Sequence, residues 1–128
     1  MLKLNKICSF DEYSNYVDTY IATWDSVNDT VMYITTWLEN SNNTNSGERM
    51  EKTREKRLLL AQRDLLEAKR QAFRANKSSI SPPTSEQVKK AKKLADGIDE
   101  IIKTSQATDA ALGLVEQSLK LYNEIQEV

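Results

Sequence analysis

The sequence predicts an all-α protein, an elongated antiparallel helical bundle of three long helical regions at about 9–39, 48–77 and 84–127. Three observations support this fold class. The 128 residues include only three glycines and two prolines, the residue types that are penalised inside helices and favoured in turns. Apolar residues recur at alternating spacings of three and four, as they do along the buried face of a helix. Two capping-box patterns mark helix starts.

The first helical region is the most clearly marked. Ser9 and Glu12 match a capping box, in which the serine accepts a hydrogen bond from a backbone amide and the glutamate reaches back. An apolar seam then continues for about four heptads, which predicts a helix that packs along a neighbour. Its members are Phe10, Tyr13, Val17, Tyr20, Trp24, Val27, Val31, Ile34 and Leu38. Trp24 is expected to be a buried anchor of this seam. Residues 40–47 carry no apolar side chain, so a flexible loop is predicted there.

The second helical region is expected to bury an alanine-rich seam. That seam consists of Leu58, Ala61, Leu65, Ala68, Ala72 and Ala75, with Leu59, Leu66 and Phe73 alongside. Residues 78–83 are predicted to form a turn, because each of the two prolines disfavours a helical residue before it.

The third helical region opens at Thr84 and Gln87, the second capping-box pattern. Its two halves present their apolar residues on arcs whose centres differ by well over a right angle, so one straight helix could not offer both to the same neighbour. The polar stretch 104–109 lies between them and contains the N-cap candidates Thr108 and Asp109. We therefore expect this region to be kinked or split near 104–109.

Composition argues for a single domain over 1–128 and against catalysis. The chain has no histidine, the commonest general base and metal ligand, and its three glycines stand apart, so no phosphate-binding loop is present. The net charge of −1 favours neither nucleic acid nor an anionic membrane. We predict no catalytic residue, no cofactor and no metal site, and we expect that the protein is not an enzyme.

Two groups of apolar residues are candidates for partner binding. Met32 and Tyr33 point away from the seam of the first helix, and Leu114, Leu121 and Val128 form a row beside the C-terminal seam. Such a row, if uncovered, would indicate an interface with another protein or a second copy of the chain. The alternative is that the C-terminal segment is the most buried element, in which case the row belongs to the core.

A candidate basic face lies on the second helix, where five cations share one heptad position: Arg49, Lys56, Arg63, Arg70 and Lys77. Three interpretations remain open. The face could complement the acidic side of a neighbouring helix, bind an acidic protein surface, or bind nucleic acid. Five acidic residues on the same helix and a single aromatic residue disfavour nucleic acid.

These patterns together favour a protein–protein interaction module that acts through helix–helix packing: an adaptor, a secretion chaperone, an immunity-type inhibitor or a subunit of a larger assembly. The alternative is a secreted or membrane-active helical effector. A protein partner or a homodimer is expected and a small-molecule substrate is not; nothing indicates membrane binding. The longest apolar run, 58–61, is far shorter than the ~20 residues that span a bilayer, and the single cysteine suits the cytoplasm, with leaderless export left open.

Overall fold

The structure, a computed structural model, describes residues 9–40, 42–75, 79–104 and 107–127. Within these ranges the chain forms four α-helices: α1 (Phe10–Glu39), α2 (Ser46–Arg74), α3 (Ser85–Lys103) and α4 (Thr108–Ile125). A two-residue strand, β1 (Ser79–Ile80), pairs antiparallel with β2 (Gln126–Glu127). The prediction of an all-α helical bundle is confirmed, but the count of three helical regions is wrong, because the third region is two helices.

Three of the helices, α1, α2 and α3, begin where a side chain bonds to an unpaired backbone amide. Both predicted capping boxes are present, Ser9 with Glu12 on α1 and Thr84 with Gln87 on α3. At the start of α2 the Asn45 side chain accepts from the Glu48 amide at 2.8 Å, so this helix begins at Ser46, two residues earlier than predicted. It ends at Arg74 instead of residue 77.

The break in the third region allows both of its halves to contribute to the core. α3 ends at Lys103 and α4 begins at Thr108, within the stretch where the sequence predicts a kink or a split. Because α3 and α4 are separate helices, Ile98 of α3 and Val115 of α4 both reach one hydrophobic cluster that also contains residues of α1 and α2.

Successive helices run in opposite directions, and α1 lies at the centre because it packs against all three others. Contacts between the helices show that α1 runs antiparallel to α2 and α4 and parallel to α3. The pairs that show this are Trp24–Glu67 and Asn28–Arg63 for α2, Asp18–Lys92 and Asp29–Asp99 for α3, and Tyr16–Tyr122 and Ser26–Ser118 for α4.

A small polar face of α1, which the apolar seam does not include, is also buried. Thr19, Thr23, Ser26 and Thr30 are each at most 1% exposed. Short side chains allow close approach, and the Ser26 and Ser118 hydroxyl oxygens of α1 and α4 lie 3.4 Å apart. Three of the four hydroxyls donate to the backbone carbonyl four residues earlier, and the Thr23 hydroxyl is buried with no partner among the described residues.

The predicted seam of α2 is wrong. The buried apolar residues are Leu59, Leu66 and Phe73, which follow one another at intervals of seven, whereas Leu58 and Leu65 are 55% and 46% exposed. α2 is turned about its axis so that a phenylalanine and two leucines lie in the core, whereas the predicted seam would have buried mainly alanines. Burial of larger apolar side chains contributes more to the free energy of folding. The predicted anchor Trp24 is half-buried, beside the edge of α2.

Candidate interaction surfaces

The two described members of the C-terminal row do not form an exposed surface. Leu121 is only 4% exposed and lies in a core cluster, and Leu114 is half-buried against the main core. Leu114 packs so closely on α3 that a Cβ atom added to Gly97 would lie 3.0 Å from its Cδ1 atom. The expectation of an uncovered row is therefore corrected for these two residues. Val128, its third member, lies outside the described residues.

The second candidate pair lies at the edge of α1. Met32 is 56% exposed, as its position off the seam predicts, and Tyr33 is half-buried. These two residues make a small patch, and the structure adds no further large exposed apolar side chain of α1 next to them: the nearest along the helix is Ile21, about three turns away.

Arg49, at one end of the predicted basic face, is hydrogen-bonded to the segment that connects α1 and α2. The Arg49 guanidinium donates to the Leu38 carbonyl at 2.7 Å and to the Asn43 carbonyl at 2.9 Å, which ties the C-terminal end of α1 to the loop that follows it. Lys56 is half-buried, and Lys77 lies outside the described residues. The flexibility that the sequence predicts for 40–47 stays a prediction, although the described part of this loop is hydrogen-bonded.

The middle of the basic face lies against α1. The Arg63 guanidinium stands 5.8 Å from the centre of the Trp24 ring and donates to the Asn28 side chain at 2.6 Å. Arg70 lies over the Tyr20 ring at 4.9 Å. Three of the five cations are thus engaged within the chain, with carbonyls, an amide and aromatic rings. Complementarity with the acidic side of a neighbouring helix stays a prediction.

Apolar residues of α2 that lie outside the core form a row on the exposed side of the helix. We call this row the outer face of α2; it consists of Met50, Leu58, Ala61, Leu65 and Ala68. All five are exposed, Met50 by 73%. From Leu58 onward they repeat at spacings of three, four and three, the spacing by which one helix packs along another. Sequence reasoning assigned four of these five residues, all except Met50, to the buried seam of the second helix. The seven-residue interval of Leu59, Leu66 and Phe73 was the available signal for the side of the helix that is buried.

Charged side chains of both signs border the outer face. Arg54 forms an ion pair with Glu51 one turn earlier on the same helix. Arg57 and Asp64 are exposed and, seven residues apart, lie along one edge of the row. From Leu58 to Ala68 the outer face therefore resembles a helix-packing surface, apolar along its centre and charged along one edge. Arg54 lies in line with this row, between Met50 and Leu58.

A groove of about 320 Å³ with an acidic lining lies between α1 and α3. Its charged lining residues are Asp18, Asp25, Asp29, Lys92, Asp96 and Asp99. Burial first, then a hydrogen bond with Asp99 and repulsion from Asp99 and Asp25, raise the pKa of Asp29 to about 6. This hydrogen bond requires a proton on one of the two carboxyls. The groove can therefore hold a proton up to about pH 6.

The described ranges hold neither a cluster of metal ligands nor a membrane-spanning helix. No three histidine, cysteine, aspartate or glutamate side chains are grouped there so as to hold a metal ion. None of the helices there has the length and apolar character needed to cross a membrane.

Comparison of this chain with protein-family models, with curated proteins and with solved structures finds no match.

Proposed function

We propose that this chain is a non-enzymatic protein–protein interaction module, of the cytoplasm, that binds a helical partner along the outer face of α2. The observation that carries the proposal is the exposure of Leu58 and Leu65 on one side of a helix whose opposite side is in the core. An adaptor, a secretion chaperone, an immunity-type inhibitor and a subunit of an assembly would all use such a face in the same way.

The energetics favour a covered outer face. Burying an exposed leucine side chain stabilises a complex by roughly 1.5–3 kcal/mol when the burial is complete, and about half of each side chain is available here. A helix of 29 residues presents this row over several turns, so a partner helix can contact all of it at once. Exposed apolar patches that are contiguous, as this row is from Leu58 to Ala68, often mark interaction sites.

The intramolecular contacts of the basic face support helical-partner binding over nucleic-acid binding. Arg49, Arg63 and Arg70 direct their guanidinium groups to carbonyls, an amide and aromatic rings of the same chain. A phosphate backbone would have to compete with these contacts, whereas a helical partner on the outer face would leave them in place.

The test is a pair of charge insertions on the outer face, Leu58→Glu with Leu65→Glu. Tagged wild-type and variant chains are used to capture partners from cells that express the protein, and each captured protein is then purified and titrated by calorimetry. We expect the double variant to bind at least tenfold more weakly, because two carboxylates would have to be buried at the interface.

The matched control carries Phe10→Glu and Gln117→Glu, which add the same two charges at exposed positions of α1 and α4. Its affinity should equal that of the wild type. Equal affinity of the outer-face variant and the control would contradict the proposal, provided that circular dichroism shows both to be folded.

A further inference from the structure

We infer that the occupant of the outer face is a second copy of this chain, with the two α2 helices packed antiparallel about a two-fold axis that passes near Leu59 and Leu60. This inference rests on the proposed function, and it names the partner. A two-fold interface requires a surface that is complementary to itself, and the outer face satisfies this requirement in both size and charge.

The sizes of the side chains match in an antiparallel pair. Leucine and alanine alternate along the row, so a helix that runs in the opposite direction places Leu58 of each copy beside Ala61 of the other. A large side chain then fills the space above a small one on both sides of the axis. One turn further out, the aliphatic part of Arg54 covers Leu65 of the second copy. The small alanines also allow the two helices to approach closely.

The charges match in the same register. Arg57 and Asp64 lie on one edge of the row, and in an antiparallel pair this edge meets itself. Arg57 of each copy therefore lies opposite Asp64 of the other, which gives two ion pairs across the axis. A parallel pair in register would instead bring Arg54 of one copy against Arg54 of the other.

The mixture of signs also favours self-association over a uniformly charged partner. An acidic helix would repel Asp64, and a basic helix would repel Arg57, both of which are exposed beside the row. Like charges placed opposite each other reduce affinity and exclude wrong partners. A second copy supplies the opposite charge at both positions.

The experiment is a charge swap followed by sedimentation velocity over a series of protein concentrations. Arg57→Asp and Asp64→Arg are prepared as single variants and as one double variant, each checked for helicity by circular dichroism. We expect the wild type to dimerise and each single variant to dimerise at least tenfold more weakly, since each places like charges opposite each other.

Two rescues distinguish this geometry from general damage to the helix. The double variant should regain the wild-type dimer, because both of its ion pairs are restored with their signs exchanged. An equimolar mixture of the two single variants should also associate, because one ion pair then has exchanged signs and the other has the wild-type residues. The wild type remaining monomeric at all concentrations, or the mixture failing to associate, would overturn the inference.

Failure of this inference is separable from failure of the proposed function. A monomeric wild type whose captured partner is lost only in the Leu58→Glu, Leu65→Glu variant refutes the second copy and leaves the interaction module intact. If that variant alters neither sedimentation nor capture, both proposals are overturned.

Discussion

Asp29 shows how the environment of one residue makes folding sensitive to pH. It lies on α1 facing Asp99 of α3, with Asp25 one turn away, and its pKa is raised from 3.8 to about 6. The folded protein therefore holds this proton more tightly than the unfolded chain does. The resulting stability is complete below about pH 4 and is lost as the pH rises through about 6.

We predict that Asp29→Asn stabilises the protein at pH 7.5 by about 1 kcal/mol. The raised pKa by itself would correspond to more, but the side chain is only half-buried and water screens the repulsion. Urea unfolding at pH 4.5 and pH 7.5 should show a smaller difference between the two pH values for the variant than for the wild type.

The comparison variant is Asp96→Asn, which removes one negative charge from an exposed position of the same groove. If both variants change the pH dependence equally, the effect belongs to the net charge of the groove and the assignment to Asp29 fails.

At the scale of the helix, α2 and α4 show that an apolar pattern does not by itself say which side is buried. Leu58 and Leu121 are both leucines of apolar rows on amphipathic helices. The sequence places Leu58 in a core seam and Leu121 in a candidate interface, and the structure reverses the two assignments.

We predict opposite outcomes for the same substitution at these two positions. Leu121→Glu should destabilise the fold by more than about 3 kcal/mol, because it buries a carboxylate in a core cluster. Leu58→Glu should change the free energy of unfolding by less than about 1 kcal/mol, since the side chain stays in water.

Denaturant melts followed by circular dichroism measure both values, at a protein concentration low enough that association contributes nothing. Similar losses at the two positions would contradict the exposure of Leu58 on α2.

For the molecule as a whole, the position of each helix in the bundle sets its stability against local opening. α1 packs against all three other helices and is buried on two sides. α2 packs chiefly against α1, and polar contacts join it to α4, with Lys52 at 3.0 Å from Asp109 and Lys69 at 2.8 Å from Asn123. A helix that buries only one face loses less buried apolar surface when it detaches, so its detachment costs less free energy.

We predict that α2 opens at a lower free energy than α1 does. Native-state hydrogen exchange should show the amides around Leu59 and Leu66 exchanging through an opening that leaves those around Val27 and Ile34 protected. The Leu58→Glu, Leu65→Glu variant is the right sample, because self-association would protect α2. One common opening free energy for α1 and α2 would contradict this prediction.

What the sequence by itself determined is local. The capping residues Ser9 and Thr84 mark helix starts because their side chains bond to amides only three residues away, and these bonds do not depend on the rest of the fold. The third region forms two helices, α3 and α4, because the residues of its two halves place their apolar side chains in different directions. The fold class follows from such short-range signals.

What only the tertiary structure decided is which face of each helix is covered. Leu58 and Leu59 are adjacent and identical, yet their exposures differ because α2 meets α1 along the line of Leu59, Leu66 and Phe73. The polar face of α1 is buried because its short side chains allow α4 to approach closely. Their hydroxyl groups can be buried because they donate hydrogen bonds to carbonyls of α1 itself. Burial depends on the neighbour, and a sequence lists residues without stating which ones meet across the bundle.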